Sequence, residues 1–187
     1  MAIKANAINN LEVMEKLIEC SQAGVRVELF IRGICSLRPG VEGMTDNITI
    51  TGVIGRWLEH SRIYSFGEGA EQRLFIGSGA LLNRNLERRV EAFIEAVTPD
   101  TREQLNEILE ALRTDREKAW EMQSDGTYIH LDNEPGTSSQ ENLYRIFSEY
   151  RVSLKDPEPA PAEEPGSRQT PDTPDQPKRG WLYRLFH

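Results

Sequence analysis

The sequence predicts an α/β fold, and three observations carry the prediction. Helical and extended apolar patterns alternate along the chain, the extended runs are rich in Val, Ile, Tyr and Phe, and glycines or capping residues mark the changes between them. The 187 residues and 38% apolar content suit one folded domain of ordinary size. No stretch approaches the ~18 to 20 apolar residues needed to cross a bilayer. The opening MAIKANAINN also lacks the basic-then-apolar layout of a signal peptide, so a soluble cytoplasmic protein is expected.

The elements follow in order. A short apolar run over 2–5 reads as a strand, and Asn9 and Asn10 as the cap of a helix. Leu11, Met14, Leu17, Ile18 and Ser21 recur at helical spacing until Gly24 stops it. VRVELFIRG, 25–33, alternates Val25, Val27, Leu29 and Ile31, so it is a strand that delivers Arg32 to its end. The stretch 33–46, with Arg38, Pro39, Gly40 and Gly43, is a loop. NITITGVIG is a further strand, RIYSFG and RLFIGSG pair across a turn at 67–72, and EAFIEAV adds another. Thr98 and Pro99 open a long charged helix whose apolar face is Leu105, Ile108, Leu109 and Leu112, expected to run to about Met122. A short strand over 128–131 and a helix from Ser138 to about Tyr150 complete the domain, 1–154. In 155–187 the composition changes, with seven of the ten prolines at 157–177 among charged and hydroxyl residues. This predicts a disordered tail that ends in the aromatic and basic KRGWLYRLFH.

The net charge of −8 argues against a nucleic-acid-binding domain. Its distribution is uneven. Residues 26–89 hold nine basic and seven acidic residues, a balance of +2, whereas 90–154 hold six and fourteen, a balance of −8. All nine basic residues of the first stretch are arginines, whose planar forks grip phosphate oxygens in a bidentate way. Composition alone favours solvated surface arginines in ordinary ion pairs. Cys20 and Cys35 are too few and too unpatterned for a disulfide framework or a zinc site and read as reduced structural thiols.

Chemistry concentrates after Trp57. Glu59-His60-Ser61-Arg62 leads into a strand, and an imidazole beside basic residues can attack phosphorus, pass a proton or stabilise a phosphoryl oxygen. Gly77-Ser78 and Asn83-Arg84-Asn85 follow. This order, His-x-basic, strand, turn, Gly-Ser, Asn, resembles the signature of the phospholipase D superfamily. The flanking residues narrow the likeness. IKANA, SQAGVRVELFIRGICSLRPGVEG, DNI, VIGRWLEHSRIYSFG and RNLERRVE resemble the polyphosphate kinase family almost continuously over 2–97, and more weakly to about Leu154.

The resemblance implies a phospholipase-D-like mixed sheet flanked by helices. It also implies the carboxy-terminal module of an ATP-polyphosphate phosphotransferase, which moves the terminal phosphate of ATP reversibly onto polyphosphate, with Mg2+ as in the family and its ligands outside this chain. Arg32 is similar to the family arginine that contacts nucleotide phosphates, and His60 to an essential active-site histidine. For Arg32 the residues alone also allow an ion pair that caps the loop. Arg38, Arg62, Arg84 and Asn85 are further phosphate-binding candidates, and Lys4 and Asn6 match the family with a structural role. The family commonly has an acidic residue where this chain has Ala80, so a carboxylate is expected to be missing there.

The family's phosphorylated histidine and nucleotide-stacking aromatic belong to preceding domains. The expectation is therefore of a module that is incomplete without a chain supplying them, with ATP and polyphosphate as ligands and no nucleic acid. The alternatives are a binding module without turnover and a phospholipase-D-like phosphodiesterase, for which a homo-oligomer would bring two histidine motifs together. Arg62, where phosphodiesterases typically use Lys, counts against the last. The aromatic and basic end could dock on a partner or on an anionic membrane surface.

If the division at 154 is right, removing 155–187 leaves the thermal midpoint of the domain unchanged within error, because a Pro-rich charged segment contributes little buried apolar surface. A large fall in midpoint on deletion would show that the tail belongs to the folded unit.

Overall fold

Lys4 apart, the first strand consists of small and branched apolar residues, and it lies near the middle of one sheet. A computed structural model describes residues 1–132 and 136–153. The strands are β1 (Ala2–Ala5), β2 (Val27–Ile31), β3 (Ile48–Val53), β4 (Ile63–Phe66), β5 (Arg73–Gly77), β6 (Phe93–Glu95), β7 (Ala119–Met122) and β8 (Tyr128–His130). The helices are α1 (Leu11–Gln22), α2 (Asn83–Arg88), α3 (Pro99–Arg113) and α4 (Ser139–Ser153). The strand order is β6-β5-β4-β1-β2-β3-β7-β8. β1, β2 and β3 are parallel, and every other pairing is antiparallel, so the sheet is mixed as expected.

Alternation divides the core between the two faces of the sheet. Ile3, Leu29, Ile31, Ile48 and Ile50 pack with Leu17 of α1, whereas Ala2, Phe30, Val53, Ile63 and Leu74 pack with Leu109 and Leu112 of α3. The result is a layer of helix on each face of the sheet. Asn10 caps α1 by accepting from Val13 N at 3.0 Å, and Gly24 ends the turn after it at φ +83°, a backbone state that favours glycine. Thr98 caps α3 with Pro99 in its first turn. Among the described residues no helix is long and apolar enough to cross a membrane.

The structure corrects one long element. α3 stops at Arg113, and 119–122, expected to be helical, form β7 beside β3, with Val53 opposite Ala119. The cause is Asp115, which is fully buried. Its Oδ1 accepts from Glu117 N at 2.9 Å and Lys118 N at 2.7 Å, drawing to a side chain the amides that a continuing helix would use. Its Oδ2 accepts from Ser139 N at 2.7 Å, so the same carboxylate seats the start of α4. The second strand begins at Val27, two residues later than the alternation suggested, and the short helix α2 was not foreseen. The expected tail lies outside the described residues.

Asp115→Ala leaves three amides without their acceptor, and a cost of about 3 kcal/mol is expected, seen as a lower urea midpoint at unchanged slope. A loss within measurement error would remove Asp115 from this role.

Candidate functional site

β4 runs antiparallel to β1, with Lys4 opposite Ile63, and β5 antiparallel to β4, with Ile63 opposite Ile76. The start of β4 and the end of β5 therefore lie beside the carboxyl ends of β1 and β2. Ile8, beyond β1, bridges in parallel to both Cys35 and Leu81, which draws the segments after β2 and after β5 to the same edge. Crevices outside the carboxyl ends of strands are where open α/β sheets bind ligands.

The foundation of this edge is Lys4, only 6% exposed. Its ammonium contacts Glu59 Oε2 at 3.0 Å, Ser61 Oγ at 2.9 Å and the Ser61 carbonyl at 3.2 Å, one partner for each of its three protons. Burial lowers the Lys4 pKa from its ordinary value, Glu59 opposes that, and Arg32 and Arg62 add a smaller lowering. Lys4, Arg32 and Glu59 also line one small hollow.

Arg32 follows β2, as the sequence predicted, and donates from Nε to Asn6 Oδ1 at 3.0 Å. It makes no ion pair among the described residues, so its two terminal nitrogens remain uncommitted there. His60 is exposed, and its neighbours on both sides are tied to Lys4. Arg62 donates from Nη1 to the His60 carbonyl at 3.3 Å, while its Nε is buried with no partner among the described residues. A buried donor left unpaired is rare and calls for a ligand or an ordered water.

Next to these groups stands a carboxylate that the sequence reading missed. Glu91 accepts from Ser78 Oγ and, at 2.6 Å, from Asn85 Nδ2, and Ser78 Oγ in turn accepts from Ala92 N at 3.1 Å. The Ser78 and Asn85 hydrogen bonds hold the Glu91 carboxyl below its ordinary pKa, helped by Arg89 and Arg62. Ala80, the position at which a carboxylate was expected to be missing, is buried with Ala7 and Leu82 in a small apolar cluster. Tyr64 runs under the site and donates to the Gly79 carbonyl at 2.6 Å. Burial first, with a smaller push from Glu91, drives its pKa up to about 12, against the opposing effect of Arg62.

The remaining candidates divide. Asn85 is buried and bound to Glu91. Arg84 is exposed on α2, whose start is held by Asn9 and Asn10 through Asn83, and it lines a groove with Ile34, two residues beyond Arg32. Arg38 lies elsewhere. It approaches Asp125 and Gly126 in the turn between β7 and β8, at the end of the sheet where β3 begins, opposite to Arg32. Among the described residues no group of three or more His, Cys, Asp or Glu side chains is placed to hold a metal ion.

The family model for polyphosphate kinase C-terminal domain 2 matches residues 1–141. The chain belongs to the polyphosphate kinase family. It is 42% identical over 158 residues to a polyphosphate kinase from Synechocystis, covering 83% of this chain and 21% of that protein. A polyphosphate kinase from Thermosynechococcus vestitus is 46% identical over 137 residues, covering 73% and 19%. The crystal structure of polyphosphate kinase from Porphyromonas gingivalis superimposes with a TM-score of 0.76 at 32% identity, over 82% of this chain and 24% of that one. The chain thus spans about a fifth of the length of the curated polyphosphate kinases it matches.

One pH dependence follows from Tyr64. The folded protein keeps the phenolic proton to about pH 12, whereas the unfolded chain releases it near 10.0, so this stabilisation is complete below pH 10.0 and is lost as pH rises toward 12. Tyr64→Phe is expected to cost about 1 kcal/mol at neutral pH, through the lost hydrogen bond, and to flatten the alkaline decline in urea-melt stability. Parallel profiles for the two proteins between pH 10 and 12 would refute the assignment.

Proposed function

We propose that this chain is the phosphate-binding carboxy-terminal module of a polyphosphate kinase and takes part in reversible transfer of the terminal phosphate of ATP to polyphosphate. The observation that carries the reading is the buried Nε of Arg62, without a partner among the described residues, on a side chain bonded to the backbone of an exposed His60, at the sheet edge where Arg32 ends β2. In the transfer, the γ-phosphorus of ATP bonds to the family's phosphorylated histidine, on a preceding domain, as its bond to the bridging oxygen breaks and ADP leaves; an end oxygen of polyphosphate then bonds to that phosphorus as the phosphorus–nitrogen bond breaks. Arg32 and Arg62 offset negative charge on the transferred and leaving phosphates. His60 hydrogen-bonds the phosphoryl group or gives a proton to the leaving oxygen. Asn85, oriented by Glu91, and Arg84 on α2 extend the phosphate contacts along the same edge. Mg2+ is assigned no residue of this chain, in keeping with the donor set, and would travel with the nucleotide phosphates. A chain or segment that supplies the other polyphosphate kinase domains is the expected partner.

Calorimetric titration of the protein with long-chain polyphosphate tests this reading. Binding should weaken as salt rises, and Arg32→Ala and Arg62→Ala should each cost ~1 to 3 kcal/mol, the range for charge-assisted hydrogen bonds. Arg38→Ala, at the far end of the sheet, should stay within about 0.5 kcal/mol of the parent protein. Equal losses from all three substitutions would point to diffuse attraction rather than a site, and no loss from Arg32→Ala would overturn the proposal.

A further inference from the structure

We propose that Gln140, on α4, is a positioning residue for His60; this rests on the reading of His60 as a histidine that contacts the phosphoryl group. The Gln140 amide is 5% exposed and fully engaged. Its Oε1 accepts from Trp57 N at 2.9 Å, and its Nε2 donates to the Trp57 carbonyl at 2.8 Å and to Glu59 Oε1 at 2.8 Å. It thus holds the backbone of Trp57 as a neighbouring strand would. A Cβ at Gly55 would collide with the same amide, so the glycine is what allows the loop to approach it.

The relay continues through Glu59. One oxygen of its carboxylate meets Gln140 and the other meets the Lys4 ammonium, which also binds the hydroxyl and carbonyl of Ser61. His60 therefore sits between two residues fastened to the buried framework, one of them fastened on the α4 side as well. The helix is seated in turn by Asp115 at Ser139 N and by the stack of Tyr144 on Trp57, with ring centroids 5.4 Å apart. Gln140 makes no contact with the imidazole, so its effect on phosphate chemistry runs through the backbone of 57–61. Without the amide, Trp57 loses both backbone bonds and Glu59 keeps only Lys4, so the segment gains alternative conformations and His60 is no longer presented in one place.

The test uses Gln140→Leu, which removes all three hydrogen bonds, and Gln140→Glu, which keeps an acceptor for Trp57 N but sets carboxylate oxygens against the Trp57 carbonyl and Glu59. NMR of the unliganded protein should show Trp57 amide exchange faster by roughly tenfold in Gln140→Leu, the effect of a lost buried hydrogen bond. In both variants the His60 ring resonances should shift or broaden while those of His130, on β8, stay in place. Polyphosphate affinity should fall in Gln140→Leu, and this loss should vanish in a His60→Ala background, because a residue that acts through His60 has nothing left to position.

Unchanged His60 ring signals in both variants, or an affinity loss that persists without His60, would overturn the inference and leave Gln140 as a fastening of α4 alone. Failure of the parent protein to bind polyphosphate would instead sink the proposed function, and the ring signals of the unliganded protein would still decide whether Gln140 positions His60.

Discussion

An ammonium in the middle of an apolar strand constrains everything around it. Lys4 belongs to β1, whose other three residues are packed in the core, and a charge taken so far out of water is tolerated only if each of its protons finds an oxygen. β2 and β4 flank β1 and spend their backbone groups on the ladder. The oxygens come instead from the segment that enters β4, from Glu59 and Ser61. That segment is irregular and would otherwise be loosely held. The need to satisfy one buried charge therefore fixes the backbone on both sides of His60.

The same edge concentrates positive charge in a chain whose net charge is −8. Arg32 and Arg62 both lower the Lys4 pKa, and among the described residues Glu59 is the carboxylate that pairs with Lys4. Glu91 lies across the site and is already bound to Ser78 and Asn85. Phosphate oxygens would balance such an arrangement. The local field thus matters more than the net charge. Arg38 belongs to the same basic stretch of sequence but lies with Asp125 at the other end of the sheet, so proximity in sequence is no guide to membership of the site.

Buried polar groups also link the two sides of the molecule. Asp115 ends α3 and starts α4, and α4 then places Gln140 against the loop before His60. Neither residue has a signature in the sequence. An Asp between Thr114 and Arg116 in a helical pattern reads as surface, and a Gln after two serines reads as an exposed first turn; only their burial reveals them. Glu91 was hidden for the same reason, since it lies thirteen positions from Ser78 and meets it only because β5 and β6 pair. Lys4 alone left a visible trace, as a lysine within an apolar run.

The sequence by itself determined the α/β class, the run of strands from β1 to β6, the cap and glycine stop of α1, the arrival of Arg32 at a strand end and the family. These follow from periodicity, turn chemistry and contiguous motifs, which act over a few residues and survive in a linear reading. The extent of α3 was misjudged because helical spacing ends at Leu112 without a breaker, and the signal that stops the helix is a hydrogen-bonding choice made by a buried carboxylate. Only the tertiary structure decided which arginines lie at the same sheet edge as His60, which carboxylate binds Ser78 and Asn85 there and what anchors the backbone around His60. Those decisions depend on desolvation and on partners up to 83 positions apart, as between Trp57 and Gln140, and no local pattern encodes which buried donor will find which acceptor.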